Sequence, residues 1–233
     1  MTSIPSADNP DESGGPGEPG ADGNWVERVV ERSEQVQRTR TKSIEQARLI
    51  VDAAIRLIPK QGASFTTQEL TQEAGVAVQT FYRSFESKDS LLLAVFEELI
   101  GEFSQRYAET LTQNPDPVAR LRDSVTAAIG SWRSNPEVAQ FMTAQHWRLF
   151  QLYPTEVAAA TSQFSRLIQQ DLEEAGAKGL LEPRNPEYDA WLITQLVMAI
   201  FHNSAFAQPA EDAEEEAERL WAFCWAALGG TPR

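Results

Sequence analysis

From Ser43 onward the apolar side chains recur at three- and four-residue steps, and no segment alternates with period two. This regularity constrains the fold more than any other feature. Steps of three and four keep successive apolar groups on one face of an α-helix, whereas a half-buried strand needs alternation. The expected fold class is all-α. Ile44, Ala47, Leu49, Ile50, Ala53, Ala54, Leu57 and Ile58 mark a first helix, with Ser43 able to cap its start and Pro59 and Gly62 closing it. Thr67, as an N-cap hydroxyl, predicts a second helix over Gln68 to Ala74, stopped by Gly75. Val78 to Arg83 predicts a third, equally short. Ser87-Lys88-Asp89-Ser90 opens a long fourth that begins Leu91-Leu92-Leu93-Ala94-Val95-Phe96 and runs to about Thr110.

Two helices of about two turns are unstable alone and persist only when packed on a longer partner. Joined through a glycine able to take positive φ, they have the build of a helix-turn-helix. Leu70, Ala74, Val76 and Phe81 supply the packing, which leaves Gln79, Thr80, Arg83 and Lys88 outside. Spacing alone leaves open whether this unit reads DNA or is a plain helical hairpin.

The charge distribution divides the chain into unlike pieces. Residues 1–37 carry 2 basic and 8 acidic side chains, residues 38–90 carry 8 and 6, and residues 91–233 carry 10 and 20. Only the middle piece is net positive, as a protein that turns one face to a polyanion requires. Residues 1–24 hold five Gly and four Pro among acidic and small residues, a composition expected to stay disordered. Trp25 to Gln37 suits a marginal helix at most. Arg38, Arg40 and Lys42 form a basic arm that is either a solvated leader or a contact to a phosphate backbone. The expected organisation is a tail over 1–37, a helix-turn-helix domain with its arm over 38–90, and a larger helical domain over 91–233.

The run Thr66-Thr67-Gln68-Glu69-Leu70-Thr71-Gln72-Glu73-Ala74-Gly75-Val76-Ala77-Val78-Gln79-Thr80-Phe81-Tyr82-Arg83-Ser84-Phe85-Glu86-Ser87-Lys88-Asp89-Ser90-Leu91-Leu92 closely resembles the DNA-binding domain of the tetracycline-repressor (TetR) family. The distinguishing features are the Ala-Gly-Val turn, the Thr-Phe-Tyr segment, the Phe two residues after Arg83, and Ser-Lys-Asp opening the next helix. The resemblance covers about Ser43 to Phe103. It implies a homodimer that offers one helix-turn-helix per subunit to double-stranded DNA, and a variable helical domain whose small-molecule ligand releases it. Transferred by position, Thr67 caps the second helix and meets a phosphate, with Gln68 beside it. Val78, Gln79 and Thr80 face base edges, Tyr82 and Lys88 hold phosphates, and Arg83 lies on the same element. Two positions depart from the family pattern: Gln79 stands where many relatives have Gly, and Ser84 where His is common. A glutamine there can make a bidentate bond to adenine.

In the larger domain, Pro115-Asp116-Pro117, Asn135-Pro136 and Pro154-Thr155 open amphipathic helices, and Tyr188 to Phe206 is apolar nearly all round. Aromatic rings crowd this half, either as core or as the wall of an apolar pocket. Candidate pocket residues are Phe96, Ile100, Phe103, Trp132, Phe141, Phe164, Ile168 and Trp191, with Gln145, His146 and Gln195 to orient a ligand. An apolar or amphipathic effector is expected. The last two helices carry Trp191 and Leu196, and then the stripe Ala213, Ala217, Leu220, Trp221, Cys224 and Leu228. These are the candidate dimer interface.

Enzyme motifs are missing: there is no Gly-x-Ser-x-Gly, Gly-x-Gly-x-x-Gly, phosphate-loop Lys or His-Glu-x-x-His. One cysteine and two histidines leave little material for a metal site, so no cofactor is expected. No secretory signal or membrane span is read, and a cytoplasmic location follows. The expected function is a ligand-responsive transcriptional regulator, most simply a repressor on a palindromic operator. The alternatives are a helical lipid or acyl-chain carrier without DNA binding, and a DNA-binding protein whose larger domain only dimerises.

Overall fold

The computed structural model describes residues 25–111, 114–206 and 213–230, and within these the side chains of 25–32, 34, 110–111, 131–134 and 213 are not described. The tail expected over residues 1–24 therefore lies outside the described residues. The described part is all-α, as the periodicity predicts: α1 (Trp25–Gln61), α2 (Thr67–Ala74), α3 (Val78–Ser84), α4 (Lys88–Leu111), α5 (Pro117–Ser134), α6 (Pro136–Leu152), α7 (Pro154–Ala177), α8 (Pro186–Ser204) and α9 (Ala213–Ala227). Among the described residues no helix is long and apolar enough to cross a membrane.

The chain forms two compact units, residues 1–42 and 43–233. In the first, residues 35–42 are exposed and helical, and Thr39 donates its hydroxyl to the Gln35 carbonyl at 2.8 Å. The sequence places a helix start at Ser43, but α1 runs through it without a break. Gln, Arg, Lys and Glu around that position all tolerate helix, so a serine that can cap has no need to.

The second unit has two apolar cores. The first joins Ile50, Ala54 and Ile58 of α1 to Phe65, Leu70 of α2, Phe81 of α3 and Leu91, Leu92, Val95 and Phe96 of α4. It also takes in Phe141, Leu149 and Val157 from α6 and α7. The second is built by α5, α7, α8 and α9, with Leu121, Ile129, Ile168, Leu172, Ala190 and Val197 buried at its centre. Helix α7 packs against α4, α5, α6 and α8. Proline stands at the first turn of α5, α6, α7 and α8, where its missing N–H costs nothing. A partly buried cluster ties α5 to α7: Arg120 donates to Asp171 at 2.8 Å, pairs with Glu174, and reaches the Asn114 carbonyl at 2.9 Å.

Helix α2 is capped by Thr66, not Thr67. Thr66 Oγ1 accepts the Glu69 N–H at 3.2 Å, and Glu69 Oε2 accepts the Thr66 N–H at 2.7 Å. This reciprocal box needs an acidic residue three positions on, and counted from Thr67 that position is Leu70. At the other end Gly75 has φ 67°, and the Val76 N–H reaches back to the Thr71 carbonyl at 3.0 Å. No heavy atom crowds a Cβ at Gly75, so the left-handed backbone alone selects glycine. Gly75→Ala is expected to lower stability by about 1 kcal/mol, and Gly75→Asn by less. Urea unfolding of the three proteins checks this, and equal midpoints would refute it.

Candidate nucleic-acid interface and effector cavity

Helix α3 is held by Phe81, which is 1% exposed and packs edge-on to Tyr82 and against Phe85. Anchored on that ring, the helix turns Val78, Gln79, Tyr82 and Arg83 to solvent. Tyr82 is 63% exposed. This face carries a phenol, an amide and a guanidinium, and α3 contains no carboxylate to repel a phosphate. Arg83 Nη2 lies 3.3 Å from Thr80 Oγ1 and 3.5 Å from Gln46 Oε1, which steadies the guanidinium at the helix edge. Gln68 on α2 is also exposed, and Thr67 is half-buried.

Two expected outward residues point inward. Thr80 is buried, because the α3 side opposite Val78 and Tyr82 must pack and Thr80 lies next to Phe81 on it. Lys88 folds back so that Nζ donates to the Ala63 carbonyl at 2.6 Å and the Phe65 carbonyl at 2.5 Å, over the Phe65 ring at 4.5 Å. Those carbonyls precede α2 and lack helical partners, so the ammonium ties that loop to the start of α4. Burial, and then the charge of Arg148, lower the Lys88 pKa. Arg38, Arg40 and Lys42 are exposed on α1 as helix, not as an irregular arm, and belong to the other compact unit.

In the larger domain a cavity of about 170 Å³ opens between α4, α5, α6, α7 and α8. An engineered apolar cavity of roughly 150 Å³ admits benzene. Four expected residues line it: Phe96, Ile100, Phe103 and Phe164. Helix α6 adds Val138, Ala139 and Met142, and α8 adds Thr194, Val197, Met198, Phe201 and His202. Arg106 and Asn135, both exposed, and Thr161 complete the polar part of the wall.

Other expected pocket residues lie elsewhere. Phe141 is buried in the first core and Ile168 in the second. Trp191 and Gln195 are exposed on the opposite face of α8, with Trp191 stacked on Tyr188 at 5.4 Å. Gln145 and His146 are half-buried and are not among the residues that line the cavity. The Trp132 side chain lies outside the described residues. Because α8 is apolar all round, periodicity gives no sign of which face is inward; the inward set 194, 197, 198 and 201 is read only from the packing.

The expected dimer stripe on α9 is likewise turned inward. Ala217, Leu220, Cys224 and Leu228 are buried in the second core, with Trp221 packed against it, while the Ala213 side chain lies outside the described residues. A single stripe covers one neighbour, and that neighbour is this subunit's own α5. Trp191 and Leu196 do stay exposed, and with Tyr188 and Leu192 they form a continuous apolar face along α8.

His146 stacks on Phe96 with ring centres 5.7 Å apart and lies 4.8 Å from the His202 ring. Burial, with His202 next to it, brings the His146 pKa down to about 4, and burial also lowers that of His202. The unfolded chain binds protons near the ordinary imidazole value of 6.5, whereas the folded chain does not at His146 until about 4. Stability contributed by neutral His146 is therefore full above pH 6.5 and is lost as the pH falls toward 4. The two histidine ring signals in a proton NMR titration should include one with a midpoint near 4; two midpoints near 6.5 would contradict the burial.

Residues 50–95 match the family of bacterial regulatory proteins described as the tetR family. The fatty acid metabolism regulator protein of Bacillus subtilis is 32% identical over 73 residues, which is 31% of this chain and 38% of that protein. The chain thus spans under two fifths of that relative's length. YhgD of Bacillus subtilis, an uncharacterised helix-turn-helix regulator, is 22% identical over 184 residues, covering 74% of this chain and 91% of that protein. The fold is similar to that of Bacillus subtilis FadR in complex with stearoyl-CoA, with a TM-score of 0.64 at 16% identity over 79% of this chain and 98% of that one. With the turn at Gly75 and the exposed face of α3, the match over residues 50–95 identifies the helix-turn-helix segment as that of the TetR family of bacterial regulatory proteins, and the chain as a whole has a fold similar to that of FadR.

Proposed function

We propose that the chain is a ligand-responsive repressor, a homodimer that binds a palindromic operator through α3 and is released by an apolar or amphipathic small molecule. The observation that carries this reading is the face of α3: Gln79, Tyr82 and Arg83 project to solvent from a helix fixed by Phe81. Gln79 is the base reader, since its amide both donates and accepts at an adenine edge. Tyr82 and Arg83 serve as phosphate contacts, with Gln68 at the adjoining end of α2. Lys88 supports them by tying the loop before α2 to α4. Arg38, Arg40 and Lys42 add positive charge for non-specific attraction to the duplex.

The effector belongs in the cavity between α4 and α8. An acyl thioester is the first class to test, because the regulators of similar fold include FadR in complex with stearoyl-CoA. Its tail suits the apolar wall, and Arg106, exposed where the cavity meets water, suits an anionic head. The volume near 170 Å³ favours a short tail over a long one. Release follows from linkage: a ligand that binds better to a dimer with misaligned recognition helices lowers operator affinity by that difference. Two such helices must meet major grooves about 34 to 36 Å apart.

An operator selected from a random duplex pool provides the test. The wild type should hold it in preference to competitor DNA, Gln79→Ala should relax preference at one base pair per half-site, and acyl-CoA should weaken the complex, more with short than long tails. Absence of any sequence preference would sink the regulator reading, and indifference to every acyl-CoA would sink the effector class.

The dimer face is the stripe Tyr188, Trp191, Leu192 and Leu196 of α8, whose large apolar side chains stand exposed along one side of the helix. Leu192→Glu, placing a charge on that face, should convert the protein to monomers in sedimentation velocity; a dimer that persists unchanged would move the interface elsewhere.

A further inference from the structure

Apart from Met1 the chain has two methionines, Met142 and Met198, and it has two histidines, His146 and His202. Met142 precedes His146 by one turn on α6, and Met198 precedes His202 by one turn on α8, so each helix presents a thioether and an imidazole on one face. His146 of α6 lies against His202 of α8, with ring centres 4.8 Å apart. Met142, Met198 and His202 all line the cavity. His146 Nδ1 and His202 Nε2 are buried and have no hydrogen-bond partner among the described residues.

We infer that these four side chains form a binding site for a soft monovalent cation, Cu(I), at the α6–α8 end of the cavity. The donor set selects the ion. Thioethers are soft ligands that favour Cu(I), and imidazole is shared by many metals. Among the described residues the cavity wall has no aspartate or glutamate, so a hard divalent cation has no carboxylate there to neutralise it. Among the described residues no three of His, Cys, Asp and Glu gather, and a conventional zinc set is not formed. The ring spacing fits as well. With a metal–nitrogen bond of roughly 2.0 Å, ring centres 4.8 Å apart subtend about 100° at a shared ion. That angle is far from linear and leaves room for two further ligands, the positions the thioethers occupy. Burial keeps both rings neutral near pH 7, with a lone pair to donate.

The test is anaerobic titration of the free full-length protein with Cu(I) against a chromophoric Cu(I) chelator. The expected result is one ion per chain, held in competition with the chelator. Met142→Leu with Met198→Leu preserves apolar volume and should weaken binding by more than the roughly 10- to 100-fold that follows loss of a group merely hydrogen-bonded to a ligand. His202→Gln should abolish competition, while Cys224→Ser should leave it unchanged. X-ray absorption of the wild-type complex, which needs no variant to fold, should show both sulfur and nitrogen neighbours. Binding that survives in the double-leucine protein, disappears in Cys224→Ser, or shows no sulfur neighbour overturns the site. Because no DNA is present, failure here leaves the operator and acyl-CoA results untouched, and their failure leaves this one standing.

Discussion

Helix α4 is asked to satisfy two cores at once, and the rest of the molecule depends on that constraint. Its first two turns bury Leu91, Leu92, Val95 and Phe96 against α1, α2 and α3. One to two turns later Ile100 and Phe103 face the cavity, and Phe96 belongs to both regions. A close-packed interior transmits displacement because side chains have no slack to absorb it. A ligand that moves the cavity end of α4 therefore moves the platform on which α3 stands. Lys88, tied to the carbonyls of Ala63 and Phe65, extends that coupling to the start of α2.

The helix-turn-helix was the most legible part of the sequence, because its signals are local. A left-handed glycine, a capping box, two short amphipathic segments and an aromatic anchor each act within a few residues. Even so, Thr66 and Thr67 are adjacent hydroxyls with equal claims until the partner Glu69 is counted from each, and Thr80 turned inward beside Phe81. Lys88 could not be placed from sequence at all. Its partners are backbone carbonyls more than twenty residues away, and a carbonyl carries no residue signature.

The cavity and the outer faces were much less legible, for one physical reason. A stripe tells that a helix face will be covered but not what covers it. On α9 the stripe Ala217, Leu220, Cys224 and Leu228 is consumed by the subunit's own core, so it is spent before any partner arrives. On α8 every face is apolar, and the periodic signal vanishes where it is most needed. Trp191 and Gln195 fall on one side of that helix, Thr194, Val197 and Met198 on the other, although they are immediate neighbours in sequence.

By itself the sequence determined the helical class, the opening turns of α3 to α7 and most of the chemistry displayed by α3, because helix propagation, capping and turn formation are settled by residues three to five positions apart. Tertiary structure alone decided which rings enclose the cavity, that two histidines distant in sequence meet beside it, and which apolar stripe stays exposed. Those outcomes depend on the rotation and crossing of whole helices, which are set by volume filling across the core and not by any neighbouring residue.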